Sequence, residues 1–252
     1  MTASELVTAR RALLTGAAAG AALGLAACGQ GKAGDKATAV EELMREHGVL
    51  RRIMVLYREC AALLRANFSG FDGRQLWRAA DLYRRFGESF HEQQLEEAHV
   101  FPQALKAGGE AALLVPVLIA QHARGREITA YVQAKSAAGG IAGSDAAPLA
   151  AALDAFSGMY EPHAAYEDTV VFQAWRRSLS AQQLGEAAAR FAEIEQATFK
   201  DDGFAASVAE VAGIEAALGV HDLSGYTAPA PGAAPQGLLP TPVPSPADAA
   251  TD

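Results

Sequence analysis

The sequence is poor in cysteine, in aromatic residues and in positive charge. Its two cysteines, Cys28 and Cys60, are too few for a disulfide framework and lie outside any CxxC or Cys/His cluster that would hold zinc. The 21 Lys and Arg are outnumbered by 29 Asp and Glu, which gives a net charge of −8. A nucleic-acid binder needs a basic face to neutralise phosphates, so nucleic acid is excluded as a partner.

Proline is rare over most of the chain and concentrated at its end. Seven of the eleven prolines fall in residues 227–252, a Pro/Ala-rich tail. The tail lacks the apolar residues that would offset its ordering entropy, so we expect it to be disordered. Phosphate-binding loops, nucleophile triads and dinucleotide fingerprints are also missing, which removes the sequence signals of those enzyme classes.

The first thirty residues have the pattern of an export signal. Arg10-Arg11 precede an apolar stretch from Ala12 to Ala27 that is too short for a comfortable membrane span. The arginine pair is similar to a twin-arginine signal, and the Leu-Ala-Ala-Cys run that ends at Cys28 is similar to a bacterial lipobox.

These signals predict a lipoprotein of the bacterial cell envelope. We expect a signal peptide over 1–27, lipidation at Cys28 and a tether over 28–37. The lipid would anchor the exported protein to a membrane, facing the periplasm or the outer cell surface.

Helical periodicity dominates the rest of the chain, and no segment has the period of a strand. Turn-forming residues delimit four predicted long helices: 38–66, 74–106, 110–136 and 145–178. Helices of this length joined by short loops indicate an all-α, antiparallel up-down-up-down four-helix bundle over 38–178. Two shorter helices, 180–197 and 203–218, are predicted in a C-terminal extension over 179–226.

Each predicted long helix carries one histidine near its middle. The four are His47, His91, His122 and His163. Mid-helix residues of antiparallel helices lie at one level of the bundle, so these four side chains can converge on one point. A lone histidine is usually a core or surface residue, but one on each of four helices points to a metal site.

Carboxylates accompany two of these histidines. Glu167 follows His163 by four residues and therefore shares its helical face. Glu96 follows His91 by five residues, which places the two about 140° apart on a straight α-helix. A π-bulge, which is common at functional sites, would absorb the extra residue and bring them together.

Two neighbouring carboxylates, Glu92 and Glu97, stay rival ligands on the second helix. A buried glutamate in a bundle core is costly unless it is paired, so a metal explains these residues economically. Imidazole and carboxylate without thiolate suit iron, manganese or zinc, and two metals bridged by carboxylates would use four histidines and two glutamates.

Four stretches around the histidines carry a more specific pattern. They are Glu46-His47-Gly-Val-Leu, Phe90-His91 with Leu95-Glu96-Glu97 and Phe101-Pro102, Gln121-His122-Ala-Arg-Gly, and Pro162-His163 with Glu167-Asp168-Thr-Val-Val-Phe172. Over about residues 38–178 they resemble the hemerythrin-like family, the HHE cation-binding domain. The resemblance implies a four-helix bundle with two non-haem iron ions, four terminal histidine ligands and two bridging carboxylates, Glu96 and Glu167.

The chain departs from that family pattern at two places. Aligning Phe101-Pro102 with the family puts its second-helix histidine at position 92, one residue from His91. On the third helix, Arg126 stands where blood-type hemerythrins have a second histidine, which leaves a coordination position open or filled by water. The implied function is therefore binding or sensing of dioxygen, nitric oxide or peroxide, or iron handling.

Two other functions stay open. A ferritin-like di-iron oxidase needs Glu-x-x-His on two helices, whereas Glu88-x-x-His91 and Glu96-x-x-His99 both lie on the second helix. A metal-free envelope interaction module would leave the histidine pattern unexplained. A metal- or oxygen-binding protein is favoured over an enzyme, and turnover stays an open question.

Overall fold

The computed structural model describes residues 37–232, and this part of the chain contains helices and turns but no strand. The predicted export signal, the lipidation site Cys28 and residues 233–252 of the predicted tail lie outside the described residues. The α-helices are α1 (Ala39–Asn67), α2 (Gly73–Leu82), α3 (Phe101–Ala107), α4 (Gly109–Ser136), α5 (Gly143–Tyr166), α6 (Phe172–Arg177), α7 (Ala181–Phe199) and α8 (Gly203–Leu218).

Two segments of π-helix continue the α-helices. The first π segment, Tyr83–Val100, joins α2 to α3, and the second π segment, Glu167–Val171, joins α5 to α6. With these segments included, four long helices are present, and their ends lie within a few residues of the predicted ones. The prediction of an all-helical chain is confirmed for the described residues.

Local sequence explains where the long helices begin and turn. Thr38 and Glu41 form a capping box at the start of α1: the Glu41 backbone N–H donates to Thr38 Oγ1 at 3.3 Å, and the Thr38 N–H donates to Glu41 Oε2 at 2.7 Å. The turn between α3 and α4 needs positive φ at two successive residues, 74° at Gly108 and 65° at Gly109, which glycine adopts without strain.

Helices α1 and α5 run in opposite directions along each other. Ion pairs join Arg58 to Glu161 and Arg65 to Asp154, so residues later in α1 meet residues earlier in α5. The Ser157 hydroxyl also donates to the backbone carbonyl of α1 residue Met54 at 3.1 Å. This packing places the middles of the two helices at the same level.

The two C-terminal helices pack on the outside of the four long ones. Phe199 of α7 meets Phe90 of the first π segment edge-to-face, with ring centroids 5.1 Å apart. Arg52 of α1 binds the Glu215 carboxylate of α8 with two hydrogen bonds. The extension therefore covers one side of the first π segment. Within residues 37–232, none of the helices has the length and apolar character needed to span a membrane.

Candidate metal centre

The four predicted histidines are buried and meet in two pairs. His47 of α1 and His91 of the first π segment have ring centroids 4.7 Å apart. His122 of α4 and His163 of α5 have ring centroids 4.9 Å apart, and their Nε2 atoms are separated by 3.2 Å. The Nε2 atoms of all four rings lie within 4 Å of a carboxylate oxygen of Glu96 or Glu167.

Glu96 of the first π segment is fully buried and reaches both histidine pairs. Its Oε1 atom lies 3.2 Å from His91 Nε2 and 3.9 Å from His47 Nε2. Its Oε2 atom lies 3.4 Å from His122 Nε2. One carboxylate with an oxygen directed at each pair has the arrangement of a bridging ligand.

Glu167, the first residue of the second π segment, also contacts both histidine pairs. Its Oε2 atom lies 3.1 Å from His163 Nε2 and 3.4 Å from His47 Nε2. Its Oε1 atom lies 3.8 Å from His122 Nε2. The two predicted bridging carboxylates thus both lie between the histidine pairs.

The first π segment explains how His91 and Glu96 share a face. The backbone N–H of Phe101 donates to the carbonyl of Glu96, five residues earlier, as in a π-helix. Wider turns of this kind bring a residue and its fifth successor to the same side. The predicted local insertion is present, but it extends over the 18 residues Tyr83–Val100 rather than a single turn.

The six side chains fit two metal ions. Two of the three groups in the described residues that bring three ligand atoms within 4.8 Å of one another are His47, His91 and Glu96, and His122, His163 and Glu167; the third joins His122 to Glu92 and Glu97. In the described part of the chain, six buried atoms at this place have no hydrogen-bond partner: His47 Nε2, His91 Nε2 and both carboxylate oxygens of Glu96 and Glu167. Buried polar atoms are rarely left unpaired, and coordination by a metal would satisfy all six.

The Nδ1 atom of each histidine, on the side of the ring away from the centre, forms a hydrogen bond with a side-chain oxygen. The acceptors are Asp168 Oδ1 for His47 at 2.7 Å, Glu46 Oε2 for His91 at 2.6 Å, Glu97 Oε1 for His122 at 2.9 Å and Gln121 Oε1 for His163 at 2.9 Å. Because a carboxylate or amide oxygen accepts, we assign the proton to Nδ1, which leaves the Nε2 lone pair free for a metal.

The rival carboxylates Glu92 and Glu97 do not point between the histidine pairs. Glu97 accepts the Nδ1–H of His122, and Glu92 accepts the Tyr83 hydroxyl at 2.9 Å. Arg126 donates to both carboxylates, 3.3 Å from Glu92 and in a short contact with Glu97. The arginine that replaces the family's second histidine, predicted to leave a coordination position open or filled by water, thus pairs with two carboxylates beside the centre.

Of the Nδ1 partners, Asp168, Glu46 and Gln121 were not predicted as functional residues, and Glu97 was predicted only as a rival ligand. A sequence signal exists for some of them. Asp168 directly follows Glu167, just as Glu97 directly follows Glu96. Glu46 and Gln121 directly precede His47 and His122, but each supports the histidine of another helix. The first regularity is visible in the sequence, whereas the crossed pairing of Glu46 and Gln121 depends on how the helices pack.

Nearby carboxylates raise the pKa of His47, His91 and His122 in the metal-free protein. Burial alone lowers the pKa of His122, but the surrounding carboxylates, with Glu92 the strongest, raise it to about 9. Burial likewise lowers the pKa of His91, yet Glu96 and Glu46 bring it well above its ordinary value. Metal binding must therefore release protons from these rings.

The metal-free protein should lose stability as the pH rises from 6.5 toward 9. His122 has a pKa of about 9 in the folded chain against an ordinary 6.5, so the folded state binds its proton more tightly. This contribution to the free energy of unfolding is complete below pH 6.5 and disappears as the pH rises through about 9. We expect the Tm of chelator-treated protein to fall across this range.

The His122→Gln variant provides the control for this pH dependence, because glutamine does not titrate. Its Tm should fall less between pH 6.5 and 9 than the Tm of the wild-type protein. A wild-type Tm that stays constant or rises over this range in the presence of chelator would contradict the assignment of a raised histidine pKa.

Fold and site together define the class of this protein. The family model of the hemerythrin HHE cation binding domain matches residues 38–175, more than half of the chain, and the chain belongs to this family of metal-binding helical proteins. Among similar proteins are uncharacterized proteins of Mycobacterium bovis and Mycobacterium tuberculosis, each 42% identical over 191 residues, 75% of this chain and 74% of the relative. No solved structure matches the chain.

Proposed function

We propose that the protein holds two non-haem iron ions between the two histidine pairs and binds or senses dioxygen or a related small molecule. The supporting observation is the set of six unpaired buried atoms on His47, His91, Glu96 and Glu167, which lie together between the two histidine pairs. Bound iron would supply a redox-active Lewis acid there. The proposal takes the four long helices as an up-down-up-down bundle, which the opposed directions of α1 and α5 support.

Aromatic rings stack on three of the four histidines and give the centre apolar surroundings. Phe172 stacks on His47 with ring centroids 5.4 Å apart, and Phe101 stacks on His122 at 5.5 Å. Tyr160 stacks on His163 at 5.7 Å. Four histidines and two shared carboxylates also leave ligand positions for an external molecule. Dioxygen, nitric oxide and peroxide are small ligands that bind at open positions of this kind.

The two alternatives receive less support. For a ferritin-like oxidase, His99 would have to reach the centre, but its ring packs against Phe191 of the extension, with centroids 5.9 Å apart. A metal-free interaction module would bury the carboxylates of Glu96 and Glu167 without hydrogen-bond partners, which is costly in a protein core.

Metal analysis and an optical spectrum of protein purified in air test this function. We expect about two iron ions per chain and a ferric charge-transfer band in the near ultraviolet that shifts when azide is added. Azide reports on an open coordination position without requiring turnover. Protein that takes up no iron, or whose spectrum does not respond to azide, would exclude a small-molecule site at iron.

We also propose that the protein acts at the cell envelope and is anchored there by lipid on Cys28. The proposal rests on Arg10-Arg11, the apolar stretch and the run ending at Cys28. Stable anchoring requires two or more acyl chains, which lipobox processing provides. The Cys28→Ser variant should therefore leave the membrane fraction or stall as an uncleaved precursor. Unchanged membrane association of the processed variant would rule out the lipid anchor.

A further inference from the structure

The same arrangement of residues occurs twice around the centre. Arginine follows a histidine by four residues on α1 and again on α4: Arg51 after His47, and Arg126 after His122. An acidic residue directly follows each bridging carboxylate, Asp168 after Glu167 and Glu97 after Glu96. Residues four apart lie on one face of an α-helix, so each arginine is placed beside its histidine.

Contacts join these residues into two triads of histidine, carboxylate and arginine. In the first triad, His47 Nδ1 lies 2.7 Å from Asp168 Oδ1, and Arg51 Nη2 donates to the other oxygen of the same carboxylate. The second triad has the same three kinds of residue but differs in the oxygen that its arginine contacts. His122 Nδ1 lies 2.9 Å from Glu97 Oε1, and Arg126 Nη2 donates to that same oxygen. Both arginine contacts are charge-assisted hydrogen bonds.

Both carboxylates of the triads lie in the π segments. In each segment one residue, Glu96 or Glu167, points between the histidine pairs, and the next, Glu97 or Asp168, points back to the neighbouring helix. Each triad also connects the two groups of three candidate metal ligands. Its histidine belongs to one group, while the bridging carboxylate beside it belongs to the other.

We propose that Arg51 and Arg126 are positioning residues that hold the two π segments in place, each fixing one histidine ring and the bridging carboxylate beside it. The proposal rests on the proposed metal centre. A carboxylate bound only by an imidazole can rotate or turn toward solvent, whereas a second, charge-assisted bond fixes it. Without the arginine, the π segment loses one of its contacts with the neighbouring helix. The bridging carboxylate is then no longer held in the orientation that directs its oxygens between the histidine pairs.

The other two histidines lack this third member. In the described part of the chain, no salt bridge joins an arginine to Glu46, the partner of His91. His163 is held by the neutral amide of Gln121. Arginine support is therefore confined to the two histidines whose partners lie next to a bridging carboxylate, which indicates that its target is the position of the π segments.

Two variants, Arg51→Gln and Arg126→Gln, test the proposal by titration of the metal-free protein with Co²⁺ alone. Partners behind metal-bound histidines typically contribute about 10-fold to 100-fold in metal affinity. We expect each variant to bind both Co²⁺ ions more weakly by about this factor, because each triad joins both groups. We also expect a changed cobalt absorption spectrum, and partial recovery in Arg51→Lys and Arg126→Lys.

The chain offers matched controls. Arg58 also joins α1 to α5 by an ion pair, and its side chain is 48% exposed against 44% for Arg51. Arg124 lies on α4 beside the second triad and pairs with Glu127 of its own helix. The variants Arg58→Gln and Arg124→Gln should bind Co²⁺ like the wild-type protein, and the Tm of each metal-free variant shows whether it is folded.

The outcomes separate this proposal from the proposed function. If the wild-type protein binds fewer than two Co²⁺ ions, the metal centre itself is wrong. If the wild-type protein binds two ions and folded Arg51→Gln and Arg126→Gln match the controls in affinity and spectrum, the triads have no positioning role. Loss of affinity that tracks a fall in the metal-free Tm in all four glutamine variants would likewise overturn the proposal.

Discussion

We expect the Glu167→Ala variant to lose both ions of the proposed metal centre. The Glu167 carboxylate lies within 3.4 Å of His47 Nε2 and 3.1 Å of His163 Nε2, so it serves both groups of ligands. Alanine would remove one oxygen ligand from each metal and leave two like charges without the carboxylate that keeps them close. Metal analysis of the purified variant should find less than a tenth of the wild-type iron.

Glu161→Ala is the matched control for this variant. Glu161 lies six residues before Glu167 in the same long helix. Its side chain is 70% exposed and forms a surface ion pair with Arg58. A surface pair of this kind contributes little to stability, so the control should keep its full metal content and its fold. Full iron loading of Glu167→Ala with an unchanged spectrum would place the metal elsewhere.

The variants Glu96→Ala and Glu97→Ala should differ in the number of metal ions that they bind, and not only in affinity. Glu96 directs an oxygen at each histidine pair, so its loss should abolish binding of two ions. Glu97 supports His122 through its Nδ1 atom and does not point between the histidine pairs, so its loss should weaken affinity by about 10-fold to 100-fold while two ions still bind at saturation. Metal titration with a stoichiometric end point distinguishes the two results.

This comparison also tests the first π segment. Only a helix with wider turns brings Glu96 to the same side as His91. On a regular α-helix, Glu92 and Glu96 would share a face, and Glu92 would compete as the ligand. The opposite result, in which Glu97→Ala or Glu92→Ala loses both ions and Glu96→Ala keeps them, would contradict the π-helical register.

The convergence of the four histidines could be predicted because histidine is scarce and each long helix carries one near its middle. To predict that mid-helix histidines meet, only the helix lengths and the loop positions are needed. The glycines and the apolar periodicity of the sequence give both. Glu167 followed from a spacing of four residues. Glu96 needed a departure from α-helical geometry, and its irregular spacing from His91 gave the only sequence signal for that departure.

Other features depend on tertiary packing and have no local signal. The length of the first π segment, 18 residues, exceeds the single turn that one extra residue requires. Spacing within a helix also does not say what Arg126 pairs with, because Glu92 and Glu97 approach it from the first π segment. The extension was predicted as two helices, but its place beside Phe90 follows from long-range contacts such as that of Phe199.

Anomalous X-ray diffraction at the iron absorption edge, from crystals of the iron-loaded protein, tests the central claim most directly. We predict two anomalous peaks about 3.5–4 Å apart, as in other two-metal sites. One should lie beside the Nε2 atoms of His47 and His91 and the other beside those of His122 and His163, with Glu96 and Glu167 between them. A single peak beside Glu92 and Glu97, or crystals that hold iron only at the protein surface, would contradict the di-iron centre.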